Sequence, residues 1–348
     1  MKKRNVTLKD VAERAGVSAM TVSRALSGNT RLVTVDTAER CQNAARELGY
    51  VPNLMARSLR GQQLRTIVMF AEFISSHHYL AELVDLTSRT IEERGYGVIC
   101  CQSLAGFHQC LRQFHLGGAV VIAPPETFYH DPFGEELIGP VSPPSTVLLH
   151  SAFQQSDFCE VSPDIEGFCY QAAKYLLGLG HRHLGYIGGP ESAEEPNWFA
   201  VREVGFMRAL RECGLGTDCL VRQACGNPDN GPVAIKQLLT RAPRTTGVFC
   251  ISDEIAIAVM AGARAEGLRV PDDLSVIGSN DIHLSKYVVP SLTTVSIEVK
   301  PMVDRAINLL LENGDSAPDA KPMCIRIPCR LIVRESTGVP GGRKRKAQ

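Results

Sequence analysis

Residues 7–26 leave the chain the fewest choices. Leu8, Val11, Ala12 and Ala15 recur at the spacing that lines apolar side chains along one face of a helix. Gly16 follows, and a residue without Cβ lets the backbone reverse there. Ser18 is placed to cap a second helix, its hydroxyl accepting a hydrogen bond from a first-turn N–H. In that helix Val22 and Leu26 turn inward, while Ala19, Met20, Thr21, Ser23 and Arg24 stay outside. Two short helices around so tight a turn make a helix-turn-helix, a unit that lays the amino end of its second helix in the DNA major groove.

A third helix completes a small head over residues 1–50. Thr34 suits its cap and Asp36 its first turn. Cys41, Ala44, Ala45 and Leu48 form its apolar stripe, and Gly49 stops it. Residues 51–65 connect this head to the rest. Pro52 restricts the backbone, and Asn53 can cap a segment over 54–59 that is too short to hold a helix alone in water. Leu54, Met55, Ala56 and Leu59 are too many apolar residues for an ordinary solvated linker. They imply either a helix packed on the body or a hinge that folds only against DNA and a partner hinge. Charge is uneven although the chain is neutral: residues 1–65 carry 12 Lys and Arg against 5 Asp and Glu, and the remainder 25 against 32. A basic head on an acidic body directs the head toward a polyanion.

From Arg65 strands and helices alternate. Strands are expected over 66–71, 96–101, 119–123, 146–149 and 158–161, with helices over 79–94 and 107–115. The stretch 124–144 is rich in proline and glycine and leaves little room for regular helix. A second run places helices over 165–179, 198–213, 231–241 and 254–266 among strands at 184–187, 220–223, 247–251 and 274–277. A strand at 293–295, a helix over 299–312 and a strand near 323–327 close the body. The alternation argues for parallel sheets covered by helices. Two units of similar size imply two lobes, with ligands at the carboxyl ends of the strands in the cleft between them.

The helix-turn-helix, followed by Tyr50-Val51-Pro52-Asn53-Leu54-Met55-Ala56-Arg57-Ser58-Leu59-Arg60, closely resembles the lactose/galactose repressor (LacI/GalR) family of bacterial transcription regulators. Further pieces extend the resemblance over nearly the whole chain. They are Asp164-Ile165-Glu166-Gly167, Leu179-Gly180-His181-Arg182-His183-Leu184-Gly185-Tyr186-Ile187-Gly188-Gly189 and Arg202-Glu203-Val204-Gly205-Phe206. Ser252-Asp253-Glu254-Ile255-Ala256, Val270-Pro271-Asp272-Asp273-Leu274-Ser275-Val276-Ile277-Gly278 and Pro290-Ser291-Leu292-Thr293-Thr294-Val295 complete the set. The resemblance implies an N-terminal three-helix helix-turn-helix head, a hinge helix, and an α/β two-lobed body of the periplasmic-binding-protein type I kind. It divides the chain into the head at 1–50, hinge and linker at 51–65, an effector-binding and dimerisation body at 66–340, and a basic, disordered tail at 341–348. The N-lobe would comprise 66–162 and 290–324 and the C-lobe 163–289 and 325–340, with crossings near Ser162, Val289 and Ile325.

The same resemblance implies a homodimer on a palindromic double-stranded DNA operator. Arg24 is the strongest base reader, since its guanidinium can fork to guanine O6 and N7. Ala19 and Met20 offer only apolar contact, for example to a thymine methyl, whereas Thr7, Ser18, Thr21 and Ser23 suit phosphates. Asn53, Ala56, Leu59 and Arg60 are the hinge's contacts. Leu59 is the wedge that would open a base step and bend the duplex. The effector, a sugar or sugar-like small molecule, would lie near Tyr79, Asp164, Arg202, Asp253 and Asn280, which supply hydrogen bonds and an aromatic face. Three departures from the family pattern stand out. Ser279-Asn280 replaces an aromatic residue and an Asp, which changes the charge of the cleft. The loop Ser75-Ser76-His77-His78-Tyr79 lacks the usual Asn-Pro-Phe-Phe-like run, and His77 and His78 read as surface residues by default, with contact to the ligand as the alternative. The segment 102–118 is shorter than usual.

Other classes find little support. No run of about 18 apolar residues is present, so no membrane span is expected. Met1-Lys2-Lys3-Arg4 is basic but no apolar stretch follows, which argues against secretion and for the cytoplasm. The 12 cysteines form no CxxC pair and no zinc-like spacing. They read as reduced core residues, with a redox sensor as the alternative. No cofactor or metal is implied. The chain has no phosphate loop, GxSxG elbow or HExxH, so an enzyme is not expected. No terminal leucine heptad supports a coiled-coil tetramer. A small-molecule binding protein without DNA function is the competing reading, and the head and hinge argue against it.

Overall fold

The computed structural model describes residues 6–26, 33–50, 65–72, 78–123, 133, 145–151, 157–189, 198–313 and 322–341, leaving aside the side chains of 198–200 and 313. The hinge residues Asn53, Ala56, Leu59 and Arg60, His77, most of the 124–144 stretch and the tail from 342 lie outside them. The chain divides into two compact units, Met1–Leu64 and Arg65–Gln348.

In the first unit, helix α1 spans Leu8–Ala15, α2 spans Ala19–Leu26 and α3 spans Val35–Leu48. Local chemistry sets each boundary. Thr7 caps α1 and pairs with Asp10 in a capping box, where the Asp10 carboxylate accepts the Thr7 N–H at 2.7 Å. Gly16 closes α1 at φ 65 and Gly49 closes α3 at φ 64, the left-handed conformation that a Cβ penalises. Val11, Ala12, Val22, Ala25, Ala38, Cys41, Ala44 and Ala45 form the core. Ala25, not Leu26, is the second fully buried residue of α2. Leu26 packs at the core's rim, because α2 meets both neighbours along a narrow stripe of small side chains.

The second unit opens with β1 (Thr66–Ala71), α4 (His78–Glu93), β2 (Gly97–Cys101), α5 (Leu104–Gln113), β3 (Gly118–Ile122), β4 (Thr146–Leu149) and β5 (Cys159–Pro163). It continues through α6 (Ile165–Gly178), β6 (Leu184–Ile187), α7 (Trp198–Glu212), β7 (Leu220–Gln223), α8 (Gly231–Arg241), β8 (Gly247–Cys250), α9 (Asp253–Ala265), β9 (Ser275–Ser279) and β10 (Thr293–Ile297). It ends with α10 (Val299–Asn313), β11 (Cys324–Ile327) and β12 (Cys329–Ile332). The strands form two sheets, ordered β2-β1-β3-β4-β5-β11 and β7-β6-β8-β9-β10-β12. Each follows the doubly wound 2-1-3-4-5 order with one added edge strand. Among the described strands all pairings are parallel except that of β10 with β12. All six residues of β1 are buried, as a strand covered on both faces requires.

Three crossings join the lobes. The first falls between β5 and α6, at Pro163-Asp164, and the third at Pro328, between β11 and β12. The second lies at Glu298, after β10, and not near Val289. Residues 293–297 pair with β9 and β12, so they belong to the C-lobe, while α10 packs back on α4, β4 and β5. β12 was not anticipated from the sequence; its four residues follow a proline and join the sheet only by antiparallel pairing with β10. α5 begins three residues before its expected start because the Ser103 hydroxyl caps it, accepting from Gly106 N–H at 3.2 Å. One apolar cluster runs through both lobes, from Ile67 and Leu83 to Phe168, Phe206 and Phe249. The outer sheet faces carry separate cores around Phe107 and Leu148 and around Ile235 and Val259.

Candidate functional site

In the head, Ser18 accepts the Thr21 N–H at 3.1 Å and so starts α2. The outer face of α2 presents Met20, which is 63% exposed, and Arg24, also exposed, with Thr21 and Ser23 half-buried beside them. Ala19 is half-buried against the head core. Thr7 and Ser18 are exposed, yet both hydroxyls already hold helix ends. Their first role is therefore to fix the geometry of the face they border.

In the body, Tyr79 and His150 come together although 71 positions separate them: the Tyr79 hydroxyl lies 3.0 Å from His150 Nδ1. Burial holds the Tyr79 phenol well above its usual pKa. Burial first, and the charge of Arg202 second, lower His150 to about 3. The phenol therefore keeps its proton and the imidazole stays neutral, so the hydroxyl can donate to Nδ1. Arg202, on α7 in the C-lobe, is 9% exposed and acts electrostatically on His150, at the end of β4 in the N-lobe. A guanidinium is expensive to desolvate, so one held this deep between lobes marks a polar centre.

A cavity of about 360 Å³ lies where β5 passes into α6, lined by Ser151, Asp164, Glu166, Val201, Cys324 and Arg326 among others. Ser151 follows His150, and Val201 precedes Arg202. Asp164 caps α6, accepting the Gly167 N–H at 2.9 Å. Opposite it, Arg326 pairs with Glu160, whose side chain is 2% exposed. At another point of the lobe junction, His78 of α4 places its N–H and Nδ1 each 3.3 Å from Glu254 Oε1 of α9.

Asp253 departs from expectation. It is fully buried, and its carboxylate accepts from Ile282 N–H at 2.8 Å, Ser285 Oγ at 2.9 Å and the Thr294 hydroxyl. All three donors belong to the C-lobe, so this carboxylate organises that lobe. Burial pushes its pKa up to about 7 against those three hydrogen bonds. Asn280 is half-buried at φ 104, with its N–H on Val295 O at 2.8 Å. The adjacent Asp281 forms an ion pair with Arg334.

The head residues 7–53 match the family model for bacterial regulatory proteins of the lacI family, and residues 173–337 match that for a periplasmic binding protein-like domain. The HTH-type transcriptional repressor PurR of Shigella sonnei (strain Ss046) is 32% identical over 339 residues, covering 95% of this chain and 96% of its own. The chain belongs to the LacI family of bacterial regulatory proteins. Among solved structures, a complex of the transcriptional regulator CelR with cellobiose is similar at a TM-score of 0.68 and 26% identity, covering 95% of this chain and 100% of that one. The lac repressor dimer bound to operator and the anti-inducer ONPF superposes at a TM-score of 0.81, with 96% and 100% coverage. At 24% identity, that likeness speaks for the fold alone.

In this LacI-family chain several cleft groups were not singled out from the sequence. His150 carried one faint signal, a polar residue closing the apolar run of β4 at the carboxyl end of a strand. Glu254 and Arg326 carried none, because their partners are 176 and 166 positions away. Among the described residues, no group of three or more His, Cys, Asp or Glu is arranged to hold a metal ion. No described helix is long and apolar enough to cross a membrane.

Proposed function

We propose that this LacI-family chain is a cytoplasmic repressor, without enzymatic activity, that binds a palindromic operator as a homodimer under control of a small molecule held between its lobes. The observation that carries this reading is the pairing of two features: an exposed α2 face bearing Met20 and Arg24, and a buried polar centre of Tyr79, His150 and Arg202 contributed by both lobes. Arg24 reads a base, Ala19 and Met20 give apolar contacts, and Thr7, Ser18, Thr21 and Ser23 set register on phosphates. Asn53, Ala56, Leu59 and Arg60 act as the hinge between head and body, with Leu59 as the wedge. The effector set is Tyr79, Asp164, Arg202 and Asn280, joined by His150 and without Asp253. A sugar or sugar-like molecule suits this mixture of an aromatic ring and hydrogen-bonding groups. Leu284, Tyr287 and Val289, exposed at 52%, 65% and 78%, lie close together in the C-lobe sequence, and their exposure suits burial in a dimer. An effector that changes the lobe arrangement would separate the hinges and lower operator affinity, a coupling between two sites through one body.

The test is capture of fragments of the source genome on the purified protein, followed by sequencing, with and without cell extract. The expected result is one shared palindrome beside a few promoters. No enrichment in either condition would instead favour a binding protein without DNA function.

A further inference from the structure

On the N-lobe, between β2 and α5, two thiols face each other. Successive residues of a strand point to opposite sides of the sheet. Val98 therefore packs toward the shared core, while Ile99 and Cys101 turn toward α5. There Cys101 Sγ lies 3.7 Å from Cys110 Sγ, and neither cysteine is in a disulfide. A disulfide needs about 2.05 Å between sulfurs, so closure asks the two sulfurs to approach by about 1.7 Å. Cys101 is 9% exposed and Cys110 half-buried, so an oxidant in solution meets Cys110 first. Burial, followed by the hydrogen bond with Cys110, pushes Cys101 up to about 12, which keeps it a neutral thiol in the reduced pair.

We propose that Cys101 and Cys110 form a reversible oxidation site that takes a hydroperoxide and closes to an intramolecular disulfide. In the first step Cys110 gives its proton to solvent and its sulfur attacks the peroxide. An S–O bond forms, the O–O bond breaks, and the departing alkoxide takes up a proton to become the alcohol. In the second step the Cys101 sulfur attacks the Cys110 sulfenic acid. An S–S bond forms, the S–O bond breaks, and the leaving hydroxide combines with the Cys101 proton to give water. The two thiols lose two electrons in all, and the peroxide gains them. The product ties α5 to the carboxyl end of β2, the end of a doubly wound sheet at which ligands bind. Cys100 does not take part, because it points from the other side of the strand.

The experiment treats the full-length protein with hydrogen peroxide, blocks remaining thiols with an alkylating agent, and weighs the tryptic peptide 95–112, which contains Cys100, Cys101 and Cys110. The expected result is a peptide lacking two hydrogens and carrying one alkyl group, and three alkyl groups when dithiothreitol is applied before the alkylation. Cys100→Ser retains the loss of two hydrogens; Cys101→Ser and Cys110→Ser each abolish it. Exposed Cys213 serves as an internal control, expected to gain oxygen instead. A wild-type peptide that gains oxygen without losing hydrogens overturns the proposal, as does a hydrogen loss that survives Cys101→Ser.

Discussion

His150 and Asp253 are buried titratable residues displaced in opposite directions. His150 is lowered from 6.5 to about 3, so between those values the unfolded chain binds the extra proton. Its contribution to stability is whole above pH 6.5 and is lost as the pH falls toward 3. Asp253 is raised from 3.8 to about 7, so there the native state binds the extra proton. Its contribution is whole below pH 3.8 and is lost as the pH rises through 7. The two effects oppose each other across the shared window. Relative to the intact protein, His150→Gln should therefore make melting temperature fall with rising pH, and Asp253→Asn should make it climb. Thermal melts in a series of buffers read both slopes, and parallel curves for all three proteins would refute the assignment. At the head, Arg24 belongs to the same scale. Arg24→Ala should weaken operator binding by roughly 1–3 kcal/mol and relax preference at a single base position. Selection from a randomised operator library checks this, and unchanged preference would remove Arg24 as a reader.

Among the elements, α2 separates what holds a helix from what the helix touches. Ser18 has a cap to keep and, in the proposed complex, a phosphate to meet. Ser18→Ala should lower head stability by about 1 kcal/mol. Ser18→Asp should keep the cap, since Asp is an equally good one, while setting a carboxylate against the phosphate. An unchanged melt with weakened DNA retention in the Asp variant assigns the contact, whereas equal retention denies it. In the body, α6 and α7 approach so closely at Gly205 that a Cβ there would run into the Glu166 carbonyl. Arg208 braces the same pair, bonding Glu166 and lying 4.2 Å over the Tyr170 ring. Gly205→Ala should therefore cost about 1–3 kcal/mol by forcing the helices apart. Urea unfolding measures that cost, and a shift too small to resolve would show that the helices yield freely.

For the molecule as a whole, the division at Leu64 and Arg65 predicts that a chain beginning at Arg65 retains the body's melting transition and loses DNA retention. Calorimetry with heparin chromatography tests both, and a destabilised body would mean that the head supports it. The chain order of the elements was legible from the sequence because its signals are local. Thr7, Ser18 and Thr34 cap helices within three residues of themselves, and Gly16 and Gly49 end helices by their own backbone angles. The period of two or of 3.6 residues names a strand or a helix from a short window. Tertiary structure alone decided which sheet each late strand joins. The resemblance put residues 290–324 in the N-lobe, and only pairing with β9 and β12 placed 293–297 in the C-lobe. β12 exists only as the partner of β10. The candidate site divides in the same way. Tyr79, Arg202 and Asn280 were named from motifs, but His150 entered through a contact 71 positions away. Asp253 draws its hydrogen bonds from donors 29, 32 and 41 positions on, a role within the C-lobe that its motif did not announce. A buried polar group takes its role from the partners that replace water around it, and here the folded chain brings those partners from distant parts of the sequence.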